Sequence, residues 1–239
     1  SASNGVVLTE TTFANNTANE SGGGAYFGFS DNATLTNTTF ANNTAEYAGG
    51  AYFKYSNGVV LMEATFANNT QGGGAYFEFS DDVALANTTF TGNTAGEQPI
   101  GGASFSNSRN AVITNCRFDN PTNILTMGSS AVLNGTRSAG RNIAGGPYLG
   151  GNLWLTDPLQ NISEWGPDTD FDGICDDLFT IADFGTDHLP LVYGGTVTVN
   201  STPAEALIHL DGNETGRTTN TSLYLPVGAH NLTVTLADY

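Results

Sequence analysis

The chain has 239 residues and a formal net charge of −17, from 23 acidic residues against 6 lysines and arginines. Such a charge argues against nucleic acid as a partner, because phosphate binding needs clustered lysine and arginine, and it favours cations instead. No apolar run approaches the roughly 18 to 20 residues that span a bilayer, so no membrane span is predicted; the first residue, Ser1, is not methionine, which fits a processed product or a fragment.

The first half of the chain repeats one phrase four times, in which a phenylalanine precedes asparagine and threonine. A Gly-Gly-Ala-aromatic phrase or a relative of it follows each copy. The four copies begin at Phe13, Phe40, Phe66 and Phe90, in steps of 27, 26 and 24 residues. Repeats of this length are typical of stacked supersecondary units, so the sequence predicts a solenoid.

Two apolar columns and one polar column come into register when the coils are aligned. The apolar columns hold Leu8, Leu35, Leu61, Leu85 and Ile113, and Phe13, Phe40, Phe66, Phe90 and Phe118. Their five-residue separation is odd, so strand alternation breaks and the chain must bend between them. Asparagine tolerates the left-handed conformation of such a bend and can stack in side-chain ladders. The bend column holds Glu10, Asn37, Glu63, Asn87 and Asn115.

A third strand follows in each coil, with Phe27 and its equivalents facing inward and Tyr26 and its equivalents facing outward. Three short strands per turn predict an all-β fold, a parallel β-helix that is right-handed by the general crossover preference. The repeated phrases resemble those of surface-exposed β-helix proteins, including bacterial polymorphic membrane proteins and archaeal surface proteins. This resemblance covers roughly residues 1–120 and implies the fold more than an activity.

Two further stretches resemble known families. Residues 145–154, the Asp-rich loop that follows and the close at 187–191 resemble the end of NosD-like β-helix domains, which are abundant in methanogen surface proteins. Leu153 stands where that family usually has an aromatic residue. Residues 195–234 resemble the PEGA domain, a small β-sandwich-like surface module without known catalytic residues, which normally continues for another strand beyond Tyr239.

We therefore expect three segments: parallel β-helix repeats over residues 1–144, a NosD-like closing segment over 145–193, and a PEGA-like β-domain over 194–239 that is short of a strand. The phrase that begins at Ser3 matches the one at Ser56, so the chain enters in mid-repeat and leaves an open strand edge. Both ends could then accept a neighbouring copy by strand addition.

The loop after residue 167 has the spacing of a calcium site. Oxygens at positions one, three, five, seven and nine would come from Asp168, Asp170, Asp172, the carbonyl of Ile174, and Asp176. Phe179 stands at position twelve, where such loops close with glutamate. Two interpretations stay open: a structural Ca²⁺ that neutralises the carboxylates, or a solvated acidic turn.

Three tyrosines, Tyr26, Tyr52 and Tyr76, form an outward column on the third strand. Rings about 4.8 Å apart on a flat sheet could stack on sugar rings or contact a second subunit, or they are a solvent-facing stripe of good strand formers. No carboxylate pair or cationic base stands in a recognisable catalytic motif. The three histidines also lack zinc-site spacing, so the chain is not expected to be an enzyme.

Asn-x-Ser/Thr acceptor sites are dense, which predicts a secreted glycoprotein. They are Asn15, Asn19, Asn32, Asn37, Asn42, Asn68, Asn87, Asn134, Asn161, Asn200, Asn213, Asn220 and Asn231. Cys116 and Cys175 permit one disulfide. Cys116 nevertheless falls in register with small residues of earlier coils, such as Thr38 and Thr88, which favours a buried side chain over a bridge.

These features predict a structural cell-envelope protein of the extracellular surface, archaeal in type, that self-assembles as a subunit of a surface layer, sheath or filament. The runner-up is a surface adhesin or carbohydrate-binding protein that uses the tyrosine column, and the third is a polysaccharide-cleaving enzyme. The expected partners are further copies of the chain and glycans, with Ca²⁺ as a structural cofactor.

Overall fold

The computed structural model describes residues 5–96 and 101–236. Within these residues the regular structure is nearly all β, with one helix of four residues, Ile162–Trp165. This helix is too short to cross a membrane, and no other helix in the described ranges could do so. The predicted all-β class and the parallel β-helix are confirmed.

Three parallel sheets form the solenoid, one for each side of the coil. Sheet A contains Val7–Thr9, Thr34–Thr36, Val60–Met62, Ala84–Ala86, Ala111–Thr114 and Ala131–Val132. Sheet B contains Thr12–Ala14, Thr39–Ala41, Thr65–Ala67, Thr89–Thr91, Arg117–Asp119 and Leu153–Leu155. Sheet C contains Ala25–Gly28, Ala51–Lys54, Ala75–Glu78, Ala103–Ser106 and Ile124–Met127. A short parallel pair, Thr44–Ala45 with Thr70–Gln71, lies between sheets B and C along the chain.

The predicted apolar columns fill the interior. Strand pairing brings Leu35 beside Leu61 and Phe40 beside Phe66, and all four side chains are fully buried. Along the phenylalanine column of sheet B the ring centroids lie 4.8 to 5.2 Å apart in stacked arrangement. Burying such a side chain contributes about 1.5–3 kcal/mol, so the repeated stack is a main source of stability.

The bend between sheets A and B forms as predicted, with left-handed backbone at each rung. The φ values are 50°, 49°, 55°, 52° and 51° at Glu10, Asn37, Glu63, Asn87 and Asn115. A second left-handed column holds the exposed aromatic residues Phe29, Tyr55 and Phe79, at the bend between sheets C and A. Left-handed backbone is unusual for bulky residues, and the stacked rings of this column support one another at 5.1 to 5.2 Å.

A ladder of side-chain amides, buried except at its first rung, runs beside the phenylalanine column, and in the first four coils it lies three residues after the phenylalanine. Asn69 Oδ1 accepts the main-chain N–H of Asn43, while its Nδ2 donates to Asn93 Oδ1 and to the carbonyl of Phe40. The ladder residues in order are Asn16, Asn43, Asn69, Asn93, Asn120, Asn123 and Asp157. The last residue, Asp157, has a carboxylate that only accepts hydrogen bonds, from the main-chain N–H groups of Asn123 and Leu159. This suits the end of the ladder, where no further side chain is present to receive a donated hydrogen bond.

The solenoid extends into the segment predicted as a separate closing region. Leu153–Leu155 is the sixth strand of sheet B, and Trp154 stacks on Phe118 with ring centroids 4.8 Å apart. Two antiparallel pairs follow the solenoid's loops: Ser138–Ala139 with Tyr148–Leu149, and Phe179–Ile181 with Gly185–Asp187. Sheet B of the β-helix therefore continues past residue 144, and its last strand, Leu153–Leu155, belongs to the closing segment.

The C-terminal unit is antiparallel. Gly194–Val199 pairs with Thr221–Pro226, and Leu207–Leu210 lies between Asn213–Thr218 and Leu232–Thr235. It has a small core of its own, made by Val199, Ile208, Leu210, Leu223 and Leu225. Tyr224 points the other way, into the core of the solenoid end, and donates its hydroxyl to the carbonyls of Ala144 and Val192.

Both cysteines, Cys116 and Cys175, are buried and free. Burial raises the pKa of Cys116 to about 12 and that of Cys175 to about 11, so both remain thiols. The two expected open ends, at Ser3 and at Tyr239, lie outside the described residues.

Candidate functional site

An acidic cluster lies in the loop after the short helix. One carboxylate oxygen of each of Asp168, Asp170 and Asp172 lies within 4.8 Å of the others. In the described ranges this is the only group of three or more acidic, histidine or cysteine side chains so close together. The structure thus brings together the first three of the five predicted ligands.

The loop is organised by its own hydrogen bonds. The Asp168 carboxylate accepts the main-chain N–H groups of Asp172 and Gly173, at 3.0 and 2.9 Å. Asp172 Oδ1 accepts the N–H of Ile174 at 2.8 Å. Burial, reinforced by the neighbouring carboxylates, raises the pKa of Asp168 to about 7. A bound cation would relieve that cost, because it stabilises the charged carboxylates.

The other two predicted ligands, Ile174 and Asp176, are not among the clustered side chains. Asp176 accepts from the N–H and the hydroxyl of Thr169, at 2.8 and 2.6 Å, and does not belong to the cluster. Ile174 uses its N–H toward Asp172. The Arg137 guanidinium pairs with the Asp172 carboxylate, a contact across 35 residues that loop spacing does not reveal.

A second candidate site is a groove of about 740 Å³ along sheet C. The residues that form its floor and walls include Tyr26, Tyr47, Tyr52, Lys54, Tyr76 and Glu78. The wall opposite sheet C is the segment 17–22, which is held to the next coil by parallel bridges from Thr17 to Thr44 and from Ser21 to Tyr47. The groove therefore spans neighbouring coils.

The tyrosine column is not the uniformly exposed stripe that strand alternation predicts. Tyr26, on the edge strand of sheet C, is 52% exposed. Tyr52 is only 5% exposed because it lies between the rings of Tyr26 and Tyr76, whose centroids are 5.3 and 5.1 Å away. Tyr52 and Tyr76 stack with centroids 5.1 Å apart and planes 3° apart. Tyr26 instead meets Tyr52 edge-on, at 85°. Tyr52 and Tyr76 therefore cover each other, while Tyr26 lies outside that stack and lines the groove.

The polar groups of the groove form a connected network. Tyr52 donates its hydroxyl to the Glu78 carboxylate, and Lys54 Nζ lies 2.8 Å from the same carboxylate. Burial, together with this hydrogen bond, raises the pKa of Tyr52 above its ordinary value, so the phenol stays protonated. The hydrogen bond to Glu78 likewise raises the pKa of Lys54.

A third notable surface is the outward face of sheet A. Its two columns hold Val7, Thr34, Val60, Ala84, Val112 and Val132, and Thr9, Thr36, Met62, Ala86 and Thr114. None of these side chains is charged, and Val7, Met62, Val112 and Val132 are among the exposed large hydrophobic residues. The outward face of sheet C carries Lys54 with Glu78. The first four strands of sheet B present only threonine and alanine outward, without a large exposed hydrophobic residue, and its fifth strand carries Arg117 with Asp119.

Most acceptor asparagines lie on the surface. Eleven of the thirteen predicted sites are exposed, while Asn134 and Asn161 are half-buried. The histidines lie apart: His230 pairs with Asp211, His209 contacts Thr235, and His188 is exposed in the closing segment. No histidine belongs to a potential metal cluster within the described residues.

Comparison with known proteins identifies two regions. Residues 2–159 match the family described as periplasmic copper-binding protein (NosD), and residues 194–239 match the PEGA domain. Among curated proteins, none matches significantly. One similar solved structure is QnrB1, a plasmid-mediated fluoroquinolone resistance protein, with 10% identity over 53% of this chain and 74% of that chain at a TM-score of 0.21. That score is too low to support a conclusion.

The side chains of the described residues do not fit copper. Copper sites favour cysteine, methionine and histidine, whereas the one cluster found contains carboxylates alone. Met62 and Met127 lie on different sheets, and both cysteines are buried thiols.

The family match covers more than half of the chain and coincides with the parallel solenoid. The PEGA match coincides with the antiparallel C-terminal unit. The chain belongs to the NosD family of β-helix proteins and carries a PEGA domain after its solenoid.

Proposed function

We propose that this protein is a structural component of the cell surface or periplasm that self-associates into an extended assembly such as a surface layer, sheath or filament. An extracytoplasmic location is supported by the family's description as periplasmic and by the dense, mostly exposed acceptor asparagines. We also propose an archaeal source, because residues 145–154 resemble a motif that is abundant in methanogen surface proteins.

The observation that carries self-association is the uncharged outer face of sheet A. A chain of net charge −17 repels its own copies, so two copies can approach closely only where charge is absent. Depletion of charge at the centre is also the compositional mark of protein interfaces. The partner we propose for this face is a second copy, packed sheet against sheet.

The size of the face favours a repeated contact over a tight dimer. Six strands at about 4.8 Å spacing make the face about 24 Å long, and its two side-chain columns lie about 7 Å apart. A face of this size covers a few hundred Å² at most, below the roughly 800 Å² per partner of a standard stable interface. A weak contact becomes strong when many copies engage together. This suits a lattice or filament, in which glutamates such as Glu10 and Glu63 at the adjacent bend restrict the register.

Ca²⁺ is the cofactor we propose for the acidic loop. Asp168, Asp170 and Asp172 would hold it through carboxylate oxygens, the donors that calcium prefers. The ion would neutralise a cluster that otherwise repels itself. It would also brace the loop against the C-terminal unit, whose Arg217 guanidinium already donates to the carbonyl of Asp170 at 3.0 Å.

Sedimentation velocity over a wide concentration range, in calcium, tests the proposal. The wild-type protein should show a mass that rises with concentration, and electron microscopy of the concentrated protein should show ordered assemblies. The double variant M62E/V112E places charge on sheet A at exposed positions, so it should remain monomeric. The matched double variant A41E/T91E adds the same charge to sheet B and should associate like the wild type.

Two results would count against the proposal. A wild-type protein that stays monomeric at every concentration removes self-association altogether. Equal association by both double variants would instead show that copies meet elsewhere than on sheet A. A mixture of M62E/V112E with M62K/V112K gives a further check, because opposite charges on two copies of one face should restore association.

A further inference from the structure

We propose that the groove along sheet C binds a neutral sugar unit of a glycan, with the ring face of Tyr26 as its platform. This inference is independent of self-association, since sheet C is a different side of the solenoid from sheet A. It assigns a binding site to the first coils, with a neutral carbohydrate as ligand.

The orientation of Tyr26 is the first step. A sugar ring packs its apolar C–H face on an aromatic face, so the aromatic ring must be open on one side. Tyr52 and Tyr76 cover each other in a parallel stack, whereas Tyr26 stands at 85° to Tyr52 and its ring lies over Gly28. Tyr26 is therefore the ring of the column that can receive a ligand on its face.

The cause of this orientation is Gly28. A Cβ atom at Gly28 would lie 2.6 Å from Cε1 of Tyr26, so the ring rests over a position that only glycine leaves free. The equivalent positions in the next coils are Lys54 and Glu78, whose side chains prevent the same arrangement. Glycine at this position in the first coil, in place of Lys54 or Glu78, therefore allows the Tyr26 ring to lie outside the tyrosine stack.

Polar groups stand where a sugar's hydroxyl groups would meet them. Glu78 and Lys54 face the groove from sheet C, and Glu20 and Ser21 face it from the opposite wall. Carboxylate, ammonium and hydroxyl groups around aromatic rings are typical of a specific polar pocket. Two carboxylates against one lysine leave the groove negative, which disfavours acidic polysaccharides and selects neutral ones.

Calorimetric titration with cellohexaose and hexa-N-acetylchitohexaose, and with polygalacturonate as the acidic control, tests this site on the whole chain. At least one neutral oligosaccharide should bind, and polygalacturonate should not. Y26A should weaken the binding at least tenfold. G28A should do the same while keeping all tyrosines, because its new methyl group displaces the Tyr26 ring.

Y55A is the matched control, since Tyr55 is an exposed aromatic residue at the neighbouring bend, and its affinity should equal that of the wild type. Failure of both neutral oligosaccharides to bind, or equal loss in Y55A and Y26A, would overturn the inference. Sedimentation of Y26A and G28A separates the two proposals, because both variants should self-associate like the wild type whether or not they bind glycan.

Discussion

Trp154 donates its indole N–H to the buried carboxylate of Asp187, 3.0 Å away. The same carboxylate accepts the main-chain N–H groups of Asn152 at 2.8 Å and Leu189 at 3.1 Å. Since Trp154 also stacks on Phe118, this pair fixes the closing segment onto the last rung of sheet B. Asp187 thereby supplies hydrogen-bond acceptors for the N–H groups that lie buried at the end of the solenoid.

Removing that carboxylate should therefore destabilise the closing end. D187A leaves the Trp154 indole and the Asn152 amide without partners, and each buried unsatisfied group costs about 1–3 kcal/mol. We expect a loss of roughly 2–6 kcal/mol in the free energy of unfolding, measured by guanidinium titration. E46A, at an exposed site, should change it by less than about 0.5 kcal/mol, and an equal loss in both variants would contradict this role.

Stability should fall as pH rises from about 4 to about 8 in chelator. Burial raises the pKa of Asp187 to about 6 and that of Asp168 to about 7, above the ordinary value of 3.8. Between those values the folded protein holds protons that the unfolded chain has lost, so unfolding becomes easier with increasing pH. Urea unfolding at pH 5 and pH 8 measures the difference, and D168N should reduce it. A stability that rises between pH 5 and 8 would refute the prediction.

The asparagine ladder should be more costly to interrupt in its middle than at its end. N69A removes the donors to Asn93 and Phe40 and the acceptor of Asn43 in a fully buried place. A loss of roughly 2–4 kcal/mol is expected from the groups left unpaired. N16A, at the exposed rung, should cost about 1 kcal/mol or less. Thermal unfolding of the two variants checks the order, and equal costs would mean that the ladder is not cooperative.

Calcium should stabilise the protein through the Asp168 cluster. At a hundredfold excess over Kd, binding to the folded state alone adds about 2.7 kcal/mol, which raises the unfolding temperature. D168N should weaken calcium binding at least tenfold in calorimetry. D176N changes the same charge in the same loop but lies outside the cluster, so it should bind like the wild type. Equal loss in the two variants would indicate a site built differently.

The sequence predicted the coil well because its period fixes which residues meet. Leu35 and Phe40 recur at the same place in each coil, and their odd separation required the left-handed bend that Asn37 makes. The buried amide ladder was missed, although the third residue after the phenylalanine is asparagine in all four copies of the repeated phrase, as at Asn43 and Asn69. That invariance was a usable signal for a buried polar column.

Contacts between distant segments could not be read from the period. Arg137 reaches Asp172 because two loops fold over the same end of the solenoid, and no spacing rule relates them. The burial of Tyr52 likewise depends on the rings of Tyr26 and Tyr76 in the neighbouring coils, beyond the alternation of its own strand. The unequal roles of Tyr26 and Tyr52 follow from Gly28, a single residue whose effect appears only in three dimensions.

The amide ladder also bears on how the protein can evolve. Each internal rung offers the same donors and acceptors to the coil before it and the coil after it, whereas Asp157 offers acceptors alone. A gene duplication that inserts one whole coil would therefore leave every rung matched and the terminal residue unchanged. Homologues should differ in length by whole coils, and the closing segment with its acidic loop should be inherited as an invariant end piece.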